Sequence, residues 1–281
     1  MGTLRRLGRH SGARFGAAIA LGFALAALAA PWLAPYAPTA IFPGAEIRPP
    51  DLRFLLGTDE VGRDILSRVL YGSRVSLGVA IPSVALAVLT GTTLGVGLGY
   101  WGGAPDLLAM RLFDVLFAFP PILLAIALVA ALGPSTVNLV LTIAMLTLPQ
   151  FAVLARSATL ALKPQDFVQA ARALGASHRR ILGAHVLPNL APTLAVQASL
   201  SLSIVILVEA ALSFLGLGTQ PPAPSWGSML SRGRQYMTIA PWLVLAPGLA
   251  IMLAVLGFNL LGDAQRDLLD PRRAGGRGRT P

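Results

Sequence analysis

The 281-residue chain offers little that could do covalent chemistry. It contains no cysteine, which excludes disulfides, thiolate metal sites, iron–sulfur ligation and a thiol nucleophile. Of its three histidines, His10 stands alone, and His178 and His185 are close enough to share a helix face but have no third ligand in reach. Serines in the apolar runs have no histidine nearby to take a proton. Lys163 is the only lysine, and Leu162 precedes it. A phosphate-cradling loop needs a Gly-Lys pair, because that lysine neutralises the β- and γ-phosphates. Any ATP-driven task therefore falls to another subunit. The reading is not that of an enzyme.

One polar segment carries a different kind of chemistry, that of recognition. From Lys163 to Leu182, Phe167, Val168, Ala171 and Leu174 recur at helical spacing. Gly175 then supplies a stop that tolerates a left-handed backbone, and Ser177 is placed to cap a second short helix bearing Arg179 and Arg180. His185, Leu187 and Pro188 follow. The spacing predicts a helix–turn–helix elbow of small and apolar residues, suited to a groove on a partner protein. A plain amphipathic connector would have the same pattern.

The elements that hold this elbow are membrane spans. Hydrophobic residues make up 55% of the chain and charged residues 12%, about half the charged share of a soluble domain, with a mean hydropathy of +0.70. Six runs with at most one charged residue reach bilayer length: 15–34, 75–100, 112–132, 137–155, 192–217 and 241–261. Backbone groups in hydrocarbon must be satisfied within the segment, so each run is expected to be helical. The first run follows Arg5, Arg6, Arg9 and Arg14 and contains Ala27-Leu28-Ala29, as a cleaved secretory signal would. Its length favours a retained anchor.

The predicted fold class is all-α, a polytopic bundle of six transmembrane helices. Its parts are an N-terminal tail (1–14), a first helix (15–34), an extracytoplasmic segment (35–74), a five-helix core (75–262) holding a cytoplasmic loop (156–191), and a C-terminal tail (263–281). The net charge of +10 is mostly a topology signal. With both termini in the cytoplasm, inside segments hold the larger share of arginines, including Arg111, Arg156, Arg172, Arg179, Arg180, Arg266, Arg272, Arg273, Arg277 and Arg279. No nucleic-acid partner is expected for that tail.

Inside the spans, Asp114 is placed near the cytoplasmic interface. Glu209 follows Pro192 by about 26 Å of helix and is expected to be an interfacial or helix-packing carboxylate, with a place on the solute path as the rival. Gly91, Gly95 and Gly99 form a stripe against which a neighbouring helix can pack closely. Pro120-Pro121 and Pro149 are expected to kink the third and fourth spans.

Gln169-Ala170-Ala171, Gly175-Ala176, Ile181 and Leu187-Pro188 resemble the EAA loop of binding-protein-dependent ABC importer permeases, with Gln169 where the family usually has glutamate. The stretch from Gly57-Thr58-Asp59 through Gly62-Arg63-Asp64, the run Glu209–Gly227 and the closing Asn259–Arg272 resemble the dipeptide/oligopeptide/nickel subfamily, most of all its C-type permease. The resemblance implies a type I importer permease fold in a bacterial inner membrane. It also implies a second homologous permease, two cytoplasmic ATPases that bind ATP and Mg, and an extracytoplasmic solute-binding protein. This chain itself is expected to bind no cofactor and no metal. The solute would be a peptide or a related small solute such as nickel. The alternatives are a self-sufficient secondary transporter or channel and a non-transporting scaffold.

Overall fold

A computed structural model describes residues 11–269. Arg5, Arg6, Arg9, His10 and the tail arginines Arg272, Arg273, Arg277 and Arg279, on which expectations were placed, lie outside the described residues. Helices dominate, and among the described residues the only strand-like pairing is the isolated bridge between Thr58 and Asp64. In chain order the helices are α1 (Ser11–Leu33), α2 (Ile65–Trp101), α3 (Gly103–Ala118), α4 (Pro121–Leu132), α5 (Thr136–Leu162), α6 (Asp166–Ala173), α7 (His178–Ile181), α8 (Leu187–Phe214), α9 (Trp226–Gly233) and α10 (Trp242–Leu269). A π-helical turn at Leu182–Val186 joins α7 to α8.

Among the described residues five helices are long and apolar enough to cross a membrane, and α3 and α4, bent by 97° at their break, together form either a sixth, broken span or a re-entrant loop. The sequence cut the second span at Val75. In the structure α2 begins at Ile65, where Asp64 caps it by accepting the Ser67 N–H at 2.8 Å. The segment between α1 and α2 is correspondingly shorter than 35–74, and Arg68 and Arg74 belong to a helix. The third span is not one helix from Leu112 but two pieces. A residue before proline is pushed out of the helical region. Phe119 (ψ 141°) and Pro120 (ψ 122°) are both extended, and two such residues in succession turn the chain. Pro149, by contrast, is carried inside the single helix α5.

The bundle is built around α2 and α5, its most extensive helix pair. Gly91, Gly95 and Gly99 form the seam. A Cβ on Gly95 would sit 2.1 Å from the Ala152 carbonyl oxygen, and on Gly91 2.6 Å from that of Leu148. The backbones are therefore in direct contact along this face. α1 packs along α10 through Gly16 and Gly257 in the same way. Val79, Val84, Ile143, Phe151, Ile206 and Leu212 fill the common core. Outward-facing Leu25, Leu28, Leu108, Val115, Leu123 and Leu249 are exposed, as expected where the solvent is lipid.

The two ends of the bundle differ. At one end the 34–64 segment folds into a cap beside the loop 215–241 and α9. At the other, α6, α7 and the π-helical turn form the elbow. Glu209, near the cap-end terminus of α8, is fully buried and accepts a hydrogen bond from the Ser213 hydroxyl at 2.7 Å. It is a carboxylate packed among helices. Asp114 is exposed and 3.8 Å from Arg111.

Candidate coupling elbow, helix-break cleft and cap

α6 is short and amphipathic. Val168 turns inward and is buried with Ile181, Val186 and Leu190 against Val96 and Tyr100 of α2 and Ala155 of α5. Gly175 takes φ +77°, a conformation that a Cβ would strain, and so lets the chain reverse between α6 and α7. Ser177 then accepts the Arg180 N–H, capping α7. Leu174, at the tip, is 87% exposed, and Gln169, Ala170 and Gly175 are exposed beside it. Ala171 and Ala176 are half-buried at the base. A concavity of about 520 Å³ lies among Phe167, Ala170, Ala171, Leu174, Arg180 and His185. Of the other residues singled out in the sequence, Ile181 is a core anchor, whereas Leu187 and Pro188 open α8 with exposed side chains.

One residue that sequence reasoning left aside, Tyr100, ties the elbow down. Tyr100, at the end of α2, places its hydroxyl 2.8 Å from His178 Nδ1 and accepts from Arg172 Nη2 at 3.5 Å. Lys163 Nζ donates to the Tyr100 carbonyl at 2.8 Å. An aromatic residue at a span end is a recognisable sign of an interface, but its partners lie 72 and 78 residues away, so spacing could not show the pairing. Gln169 uses its amide, donating from Nε2 to the Lys163 carbonyl at 2.8 Å. An ionised glutamate has no donor for that carbonyl.

The second feature lies at the helix break. A cleft of about 130 Å³ opens between the α3–α4 bend, α5 and α8, lined by Phe117, Pro121, Leu124, Thr147, Gln150 and Val208. Thr147 and Gln150 supply its polar groups. Most of α3 and α4 faces outward, with Asp106, Phe113, Ala125 and Val129 as their buried residues. Asp106 is gripped by Arg156 of α5 in a two-pronged ion pair, with Nη2 2.7 Å from Oδ2.

The cap collects the sequence's other motif. Gly62 lies so close to Phe42 that a Cβ would meet its carbonyl oxygen at 2.5 Å. Thr58 accepts the Arg48 N–H at 2.8 Å and donates to the Ala45 carbonyl. Asp59 accepts from Arg63 Nε at 2.7 Å. Tyr36, Phe42 and Phe54 cluster edge to face under Arg53. Asp51 closes the loop: the Phe54 N–H, then the Arg53 N–H and the Arg48 guanidinium, hold its carboxyl below the usual range. Trp226 of α9 is fully buried and donates from Nε1 to the Val69 carbonyl at 3.0 Å.

Comparison with known proteins settles what these features belong to. Residues 91–275 match the family model for the binding-protein-dependent transport system inner membrane component, and residues 2–50 match the N-terminal transmembrane domain of oligopeptide transport permease C. The chain belongs to that permease family. It is 46% identical to the dipeptide transport system permease protein DppC of Alkalihalophilus pseudofirmus, over 96% of this chain and 89% of the relative. It is 45% identical to the di/tripeptide transport system permease DppC of Pseudomonas aeruginosa, over 94% and 89%. It is 44% identical to a probable D,D-dipeptide transport system permease of Escherichia coli, over 87% and 82%. The chain is thus a multi-pass permease of an ABC importer in a bacterial inner membrane. It is a transport component and not an enzyme, and the secondary-transporter alternative is not favoured.

Proposed function

We propose that this permease imports short peptides as one half of a permease pair, seated through its elbow on a separate cytoplasmic ATPase. The observation that carries the reading is the elbow's construction. An exposed apolar tip at Leu174 is backed by a fully buried Val168, Ile181 and Val186, so the knob is presented on a firm base. Such a surface is completed by a groove on a partner. Gln169, Ala170, Ala171, Gly175 and Ala176 are the docking face in this reading, Ile181 the anchor, and Leu187-Pro188 the lead into α8. ATP and Mg are held by the ATPase pair. A second permease covers the outward face of α3 and α4 and completes the helix-break cleft as the path. The cap, with Gly57, Thr58, Asp59, Gly62, Arg63 and Asp64, faces the extracytoplasmic side and receives the solute-binding protein. Peptides are placed ahead of nickel because the relatives' names specify di- and tripeptides.

The absence of native cysteine makes the test direct. A single Leu174→Cys should react with a membrane-impermeant maleimide from the cytoplasmic side, and be shielded when the ATPase is present. In proteoliposomes holding the whole complex, Leu174→Asp should lower ATP-dependent dipeptide uptake at least about tenfold with insertion unchanged. Labelling from the opposite face, or uptake by the chain alone on an ion gradient, defeats the reading.

A further inference from the structure

We infer that the cap end holds a binding site of its own, a pocket beside Arg232 that takes the carboxylate of the entering solute. This rests on the reading of the chain as a peptide importer and adds a substrate subsite to it.

A cavity of about 220 Å³ opens where α8 ends and α9 begins, lined by Ser213, Thr219, Gln220, Ser228, Ser231 and Arg232. Several of these groups are already committed. The Ser213 hydroxyl donates to Glu209, that of Ser228 to the Ser225 carbonyl, and the Gln220 amide to the carbonyls of Gly216 and Gly218. Thr219 is not committed: its Oγ1 is buried without a hydrogen-bond partner. A buried hydroxyl left unpaired is costly, and Thr219 is one of the residues that line this cavity.

The charge points the same way. Three guanidiniums, those of Arg63, Arg68 and Arg232, face two carboxylates, Asp59 and Glu60, in one connected cluster. Arg63 holds Asp59 at 2.7 Å and Glu60 at 3.2 Å, and Arg68 lies 3.4 Å from Asp59. Arg232 has only a 3.8 Å approach to a Glu60 already engaged by Arg63. The positive surplus of the cluster therefore sits at the pocket wall. A guanidinium fork matches a planar carboxylate, and Thr219 and Ser231 line the same cavity. A cationic ligand would add to the surplus, and a neutral one would leave it unbalanced.

The test uses the complete transporter without its solute-binding protein, and measures equilibrium binding of dialanine and of dialanine amide. Dialanine should bind at least about tenfold more tightly than the amide. Arg232→Gln should remove that preference, Arg232→Lys should keep part of it, and Thr219→Val should weaken dialanine binding about two- to tenfold. Glu60→Gln should tighten it, because Arg232 loses its competing counter-charge. A merely structural ion pair would make the Arg232 and Glu60 variants weaken together. Equal binding of acid and amide overturns the site. So does an Arg232→Gln effect confined to docking of the binding protein, which would assign the carboxylate to an acidic side chain of that partner. ATP-driven dialanine uptake by the wild-type complex is measured alongside. Its absence would defeat the peptide reading itself, whereas uptake unchanged by Arg232→Gln would defeat only the site.

Discussion

The cap and the elbow close opposite ends of one bundle by opposite means. The cap is cross-linked through ion pairs, three packed aromatic rings and a buried tryptophan that joins α9 to α1 and α2. The elbow has one small core and a few ties, chiefly from Tyr100 to His178, Arg172 and Lys163, and its apolar tip is exposed. The difference teaches where each end expects its order to come from. A cap cross-linked in this way is held mainly by its own contacts. In the reading proposed above, the elbow's uncovered tip is finished by the partner surface that covers it.

Four changes would break or sharpen that contrast. The largest effect is expected at the cap. Trp226→Ala removes a fully buried ring and its hydrogen bond, costing about 3–5 kcal/mol. The melting temperature of the purified chain should fall by roughly ten degrees or more. Next is Gly95→Leu, which forces side-chain atoms into the Ala152 backbone and should cost about 1–3 kcal/mol or more. Little change in thermal stability there would mean that the helix seam is looser than described.

Tyr100→Phe, at the elbow, is a smaller loss of about 0.5–1.5 kcal/mol. It should slacken coupling more than stability: solute moved per ATP falls while the melting temperature shifts by only a few degrees. If both drop in proportion, the hydroxyl is only a structural tie. The smallest effect is Asp51's. Its folded carboxyl titrates below the usual range, so its contribution is present above the unfolded value and lost as pH falls through the folded one. Protection of the 48–57 loop amides, taken relative to their intrinsic exchange rates, should therefore fall below about pH 4, and Asp51→Asn should flatten that acid limb.

Much of this was legible in the sequence. Apolar runs of bilayer length are hard to read otherwise, and the elbow's helix, glycine stop and serine cap were each local signals. What stayed hidden depended on long-range contact. Arg68 and Arg74 looked like loop residues, and Arg74 set a false start for α2. In the structure Arg68 is 3% exposed, beside Asp59 and donating to the Pro38 carbonyl. Pro120-Pro121 announced an interruption but not a turn of 97°, which needed two successive extended residues. Glu209 was placed by counting rise along a helix, which gives depth but not which neighbours enclose it. The pairing of Tyr100 with His178 and the charge surplus at Arg232 arise only when distant segments meet.

The glycine seam carries one mechanical consequence. Helices whose main chains touch cannot slide past each other without one backbone climbing over the other, so α2 and α5 must travel as a single beam. That beam runs from the capped start of α2 to the threshold of the elbow, while the hinge-like break at Phe119–Pro120 leaves α4 outside it. A thrust delivered at Leu174 would therefore arrive at the far membrane face as a tilt of the whole beam, with α4 as the piece left behind to part from it.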